Sequence, residues 1–399
     1  MINLTFGYHL RRTIPLLAAL IVLSMLRVRQ GNAPAENSFE QALAMMGRFG
    51  RSDKEQEDEI AGYYEGLLDE ARDRGTAGRG LLGNLAQGAG APPGWELADH
   101  PEILSRDDSF LRYTLSPGAE TVVKETPLTI NRWGMRDRDY QQAKPPGTHR
   151  IAIVGSSIIA GLGVPGEATF EALWEARLNA DPPCDGAPRY EIMNFAVPGY
   201  KITQYVDVAC RRIPPFEPDV VVIGLSPIVA SQDYSDHLAN LVRAGADLRY
   251  DCLRQLAIAA DLKRSDSMNR LIVKMTHRRN EVIRACIAEI LSCTASYGAT
   301  LVLMPIPVTF HQGSLNDEVA RLVEELAPLE LPVLNLLDAF HDSEHAKIRL
   351  RPFDNHPNEV GHRLLYEAIA RRIDDHPEWK AILLGCPDGD RSPSTARSD

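Results

Sequence analysis

The sequence predicts an α/β fold, a parallel sheet in a three-layer α/β/α sandwich, for its central and C-terminal parts. Three observations carry that expectation. Short continuous apolar runs such as Ile151-Ala152-Ile153-Val154 and Asp219–Ile223 (DVVVI) lack polar alternation, as in strands covered on both faces. Helix-spaced stretches separate these runs, and β-α alternation implies parallel strands joined by crossover helices. Turn residues punctuate the boundaries, notably Lys144-Pro145-Pro146-Gly147 ahead of the first run.

The order along the chain begins with Arg11-Arg12, an uncharged stretch from Thr13 to Leu26, then Arg27 and Arg29. This stretch is shorter than the roughly 17–25 residues of a membrane-spanning helix. Its length suits a signal-peptide core after a basic start. Residues 1–35 are therefore expected to be a membrane anchor or signal segment. The anchor is preferred to a cleaved signal peptide, and a buried helix of a cytoplasmic protein is the third reading. With it comes the expectation of a catalytic part held at a membrane or exported.

Residues 36–130 read as a helical extension and linker. Phe39, Leu43 and Met46, then Ile60, Tyr63, Tyr64, Leu67 and Leu68, recur at helical spacing. Gly75–Pro93 is rich in Gly and Ala, and residues 95–130 carry short extended segments between turns.

Residues 131–376 form the predicted α/β domain, and 377–399 a mostly disordered tail. Strands are expected at 151–154, Tyr190–Phe195, Asp219–Ile223, Ala299–Pro305 and, briefly, Leu331–Leu336. A helix over Glu167–Asn179 places Phe170, Leu173, Trp174 and Leu178 on one face. A long helical region spans about Gln232 to Tyr297, and the last helix runs from about Asn358 to Ile373. The long region leaves the carboxyl end of the third strand and far exceeds an ordinary connection, so it is expected to overhang the site.

Composition narrows the function. The chain is 44% hydrophobic and 24% charged, which excludes a wholly disordered chain and a polytopic membrane protein. With 43 Lys plus Arg against 54 Asp plus Glu, the net charge of −11 disfavours a nucleic-acid partner. His277-Arg278-Arg279 is too short a basic run to reverse that and reads as a solvated helix face. The six cysteines form no C-x-x-C or zinc-ligand pattern and are expected to be buried or inert thiols. Gly161-Leu162-Gly163-Val164-Pro165-Gly166 fits G-x-G-x-x-G by letter. Six residues separate Val154 from Gly161, whereas a dinucleotide fold needs its first glycine directly after the strand.

Chemistry concentrates at two places. Gly155-Ser156-Ser157 follows the first strand, at the carboxyl edge where a serine hydroxyl can act as a nucleophile and its N–H can hold an oxyanion. The competing reading is a serine pair that caps a helix. In Phe353-Asp354-Asn355-His356-Pro357-Asn358-Glu359-Val360-Gly361-His362, His356 stands beside an aspartate just before a helix. That suits a general base, although Pro357 also fits a plain helix start; His362 reads as packing or capping. Between them, Asn194-Phe195-Ala196-Val197-Pro198-Gly199-Tyr200 follows the second strand and Gly224-Leu225-Ser226-Pro227-Ile228 the third.

These blocks, in this order, resemble the SGNH/GDSL hydrolase superfamily over about residues 131–375. Asn131-Arg132-Trp133-Gly134-Met135-Arg136-Asp137 also looks like the lead-in of a bacterial branch of it. The resemblance implies a flavodoxin-like sandwich and a Ser157-His356-Asp354 triad, with the Ser157 and Gly199 N–H groups holding the oxyanion. It implies hydrolysis or transfer of an ester-linked acyl group, with no metal or organic cofactor. An acyl ester or O-acylated carbohydrate would be the substrate. Three departures stand out. Ser156 replaces the G-D-S aspartate. Asp354 precedes His356 by two residues rather than three. Ile228 occupies the place of an oxyanion asparagine, leaving Ser226, Ser231 or Gln232 as stand-ins. Two other readings follow: an O-acyltransferase for extracellular polysaccharide, and a catalytically degenerate binding or assembly protein on the same fold.

Overall fold

A computed structural model of the protein describes residues 92, 94–106, 110–226, 234–276, 278–309 and 312–386. The expected anchor or signal segment, the helices expected over residues 38–74 and Ile228, Ser231 and Gln232 lie outside them. Two short hairpins come first: β1 (Leu104–Arg106) with β2 (Tyr113–Leu115), and β3 (Glu120–Val123) with β4 (Thr126–Thr129). The α/β part follows with β5 (Thr148–Val154), α1 (Phe170–Ala180), β6 (Arg189–Asn194), α2 (Ile202–Asp207) and β7 (Val220–Leu225). Four helices occupy the predicted helical region: α3 (Tyr234–Ala244), α4 (Asp251–Ala259), α5 (Met268–Thr276) and α6 (Arg279–Ser296). Then come β8 (Thr300–Pro305), α7 (Gln312–Leu326), α8 (His345–Ile348), β9 (Arg349–Arg351), β10 (Asp354–Pro357), α9 (Glu359–Asp375) and α10 (Glu378–Leu384).

The parallel sheet has the order β6-β5-β7-β8. The fifth predicted strand survives as extended backbone along β8, with a single parallel bridge from Leu303 to Val333. Period-two alternation divides the sheet into two cores. Ile151, Ile153, Val220 and Val222 face one, with Phe170 and Trp174 of α1 and Leu365 and Ile369 of α9. Ala152, Val154, Val221 and Ile223 face the other, with α2, α6 and the hairpin residues Tyr113, Val123 and Leu128. These are the three expected layers. At the sheet's amino end the fully buried Arg150 pairs with Glu191 (2.8 Å) and donates to the carbonyls of Gln141, Gln142 and Phe216.

The four-helix region packs against α2 and the sheet face it covers. It reaches toward the carboxyl edge at Thr203, whose hydroxyl donates to His237 Nδ1 (2.9 Å), while His237 Nε2 donates to the Phe110 carbonyl (2.7 Å). No helix among the described residues is long and apolar enough to cross a membrane.

The short extended segments expected over residues 95–130 are hairpin strands of three or four residues that share a core with the α/β part. Two sequence-based expectations change. The tail begins later than residue 377, because α10 buries Trp379, Leu383 and Leu384 against α9. Four cysteines are not inert thiols: Cys184 bridges Cys386 and Cys210 bridges Cys293, with Cα separations of 6.1 and 5.3 Å. The partners lie 202 and 83 residues apart, so only the tertiary fold brings them together. Cys252 and Cys286 stay reduced; a hydrogen bond with Cys252 and burial push the Cys286 thiol up.

Alkylation of the unfolded, unreduced protein should therefore label Cys252 and Cys286 alone, and reduction should expose all six cysteines. Loss of one bridge through Cys184→Ser should cost about 2–4 kcal/mol of stability. Four or more free thiols in the isolated protein would contradict the pairing. A second expectation concerns acid. Burial pushes His237 down to about 4 and His362 down to about 3. Unfolding returns both to about 6.5, so the unfolded state binds more protons at lower pH. Their stabilisation is complete above about 6.5 and declines as pH falls toward the folded values. Urea melts at pH 5 should show about 2 kcal/mol less stability than at pH 7 from each histidine, and His237→Gln should flatten that slope.

Candidate active site

The Gly155-Ser156-Ser157 turn is fixed from below. β5 ends at Val154, and Gly155-Ser156-Ser157 turns across the carboxyl edge. The Ile159 side chain lies over Gly155, just past β5, and Gly224 of the neighbouring β7, where an added Cβ would stand 2.3 and 2.7 Å from it. Larger residues would lift the turn off the sheet. From the side, the buried Arg136 guanidinium donates to the carbonyls of Ala160 (2.5 Å), Gly161 (2.5 Å) and Val164. Gly161 and Gly163 have φ of +66° and +82°; the first packs against Arg136, the second against Leu350 and Lys124. The glycine-rich string thus serves close backbone packing.

Asp354 and His356 both lie on β10, which pairs antiparallel with β9. Residues two apart on a strand share a face, so the short D-x-H spacing brings both side chains together. His356 Nδ1 donates to Asp354 Oδ1 at 2.6 Å, and its backbone N–H donates to the same oxygen at 3.0 Å. Ser157 Oγ donates to His356 Nε2 at 2.9 Å, although 199 residues separate them. Asn358 caps α9 by accepting from the Val360 and Gly361 N–H groups, which fixes the chain just beyond the histidine. Burial alone would raise the Asp354 carboxyl, but the hydrogen bond from His356 and the Lys124 ammonium hold it far below the usual carboxylate range.

Gly199 follows β6, the neighbour of β5, so its turn lies beside that of Ser157. Its φ of +80° is one that glycine adopts without strain. Tyr113 from β2 donates to the Pro198 carbonyl (2.7 Å), and Tyr200 donates back to the Tyr113 carbonyl (2.5 Å). Ser226 is buried at the end of β7. His362 is structural, as expected: its Nδ1 accepts from Phe170 N–H (3.2 Å) and its ring stacks on Phe170.

Sequence reasoning missed Lys124 and Trp95, which both reach Asp354, and Tyr113, which holds the Gly199 turn. No local pattern marks them. Arg136 and Asp137 could have been found, since both lie in the Asn131–Asp137 block; Asp137 Oδ2 accepts from Asn194 N–H (2.9 Å) and from Tyr140 (3.0 Å). Among the described residues, no cluster of His, Cys, Asp and Glu could hold a metal ion.

No protein-family model matches the sequence. No curated protein matches it either. Solved structures do. A structure of TesA is similar at 16% identity, over 57% of this chain and 99% of that one, with a TM-score of 0.37. The esterase EstA from Pseudoalteromonas sp. is similar at 13% identity, over 58% and 99%, with a TM-score of 0.37. A lipase/acylhydrolase from Enterococcus faecalis is similar at 18% identity, over 57% and 96%, with a TM-score of 0.35.

Proposed function

We propose that this chain is a serine hydrolase of the SGNH/GDSL type that cleaves or transfers an ester-linked acyl group. The observation that carries the reading is the hydrogen-bonded line Ser157 Oγ–His356 Nε2, His356 Nδ1–Asp354 Oδ1 at the carboxyl edge of the sheet. Nδ1 bears a proton held by the carboxylate, so the Nε2 lone pair faces the serine hydroxyl. Ser157 Oγ attacks the acyl carbonyl while His356 Nε2 takes its proton. The Ser157 and Gly199 N–H groups hold the oxyanion. Collapse returns the proton from Nε2 to the leaving alcohol and leaves the acyl group on Ser157. A second hydroxyl, deprotonated by the same nitrogen, then takes the acyl group; water makes the reaction hydrolysis.

A second reading, transfer of the acyl group to a polysaccharide hydroxyl, is favoured by the two disulfides. Such bridges persist in oxidising compartments, outside the cytoplasm, where extracellular polysaccharide is found. The same bridges support an anchored or exported catalytic domain, with the Thr13–Leu26 segment as the membrane attachment.

With short-chain p-nitrophenyl esters, Ser157→Ala and His356→Ala should each lower turnover by at least ~10³. The double variant should lose little more, since parts of one unit are not additive. Asp354→Asn should cost ~10²–10⁴ by fixing the wrong tautomer. Undiminished turnover in Ser157→Ala would contradict the reading. Added acceptor oligosaccharides that become acylated would select transfer over hydrolysis. A C-terminal reporter active only in the cytoplasm would contradict export.

A further inference from the structure

The second carboxylate oxygen of Asp354 is held from far upstream. Lys124 Nζ and Trp95 Nε1 each donate to Oδ2 at 2.6 Å, across 230 and 259 residues of sequence. With the two His356 donors on Oδ1, the carboxylate has four partners, about its full capacity. The Lys124 side chain is 1% exposed and that of Asp354 5%.

The backbone at Lys124 breaks a local rule. Lys124 and Glu125 join β3 to β4 in a two-residue turn with φ of +52° and +62°. Such turns ordinarily use Asn or Gly, because other side chains are strained there. Both non-glycine residues send their side chains to the β9–β10 hairpin: Lys124 to Asp354, Glu125 to Arg351. Local rules give way where a site demands it. Trp95 is packed to match, with Phe353 edge-on at 5.1 Å and the Lys124 ammonium 5.3 Å from its ring centroid.

We propose that Lys124 and Trp95 are positioning residues of the relay: they fix Asp354 so that Oδ1 meets His356, and the Lys124 charge offsets that of the carboxylate. The inference rests on the serine-hydrolase reading. An uncompensated buried carboxylate would favour the imidazolium and take the base out of action. The other charged or titratable groups around the pair are Glu96, 3.4 Å from Lys124 Nζ, the exposed Arg351–Glu125 pair, and the buried His362 with Arg136 beneath. His345 reaches the strand only through Asn355.

The test compares wild type, Lys124→Met, Lys124→Arg and Trp95→Phe as full chains. The His356 imidazole is titrated by NMR of labelled histidine, and kcat/KM is followed against pH with a p-nitrophenyl ester. Lys124→Met should raise the His356 midpoint and the acid limb together by about one pH unit. Its kcat should fall by part of the roughly 10²–10⁴ that a positioned base supplies, with KM little changed. Lys124→Arg should restore both midpoints, and Trp95→Phe should move them less than Lys124→Met. If Lys124→Met does not fold, the Trp95→Phe midpoint decides. An unshifted His356 midpoint in Lys124→Met, or in Trp95→Phe where Lys124→Met does not fold, would overturn the proposal. A wild type with no Ser157-dependent turnover would overturn the hydrolase reading instead, while the titration still judges Lys124.

Discussion

A carboxylate buried at the carboxyl edge is the constraint on which the rest of the site depends. Asp354 cannot keep its charge away from water unless that charge is paired and its lone pairs are filled. The solution draws on the backbone and ring of His356 two residues on and on two distant parts of the chain, the turn between β3 and β4 and the indole of Trp95. Removing any one of these donors leaves a buried acceptor short of a partner. The orientation of His356, and through it of Ser157, follows from this arrangement.

The upstream hairpins thereby become part of the site's support. Tyr113 on the first holds the Pro198 carbonyl beside Gly199, and Lys124 on the second holds Asp354. The sheet and Arg136 hold the third piece, the Ser157 turn, through the Ile159 side chain over two glycines and through three carbonyl contacts. Three pieces from separate strands are thus fixed by packing and hydrogen bonds; under the proposed serine-hydrolase reading, this is the preorganisation that electrostatic stabilisation of an oxyanion requires.

Much of this was legible in the sequence for physical reasons. Strands covered on both faces must be continuously apolar, so 151–154, 190–195 and 219–223 stood out, and α1 showed its buried face through Phe170 and Trp174. Ser157 and His356 were legible because strand-end and helix-start positions leave local signals. The D-x-H spacing departed from the expected pattern, but the strand β10 puts alternate residues on one face and supplies the alignment. What escaped notice depends on long-range contact. A disulfide across 202 residues has no spacing rule, and no local pattern marks Lys124 and Trp95 until the hairpin is folded against β10.

The most direct test of the central claim is covalent mapping with a serine-reactive fluorophosphonate. Mass spectrometry of the labelled, digested protein should find a single adduct on Ser157 Oγ, and the label should vanish in His356→Ala, which removes the imidazole 2.9 Å away. An unlabelled folded protein, or an adduct on another serine with Ser157 untouched, would contradict the account.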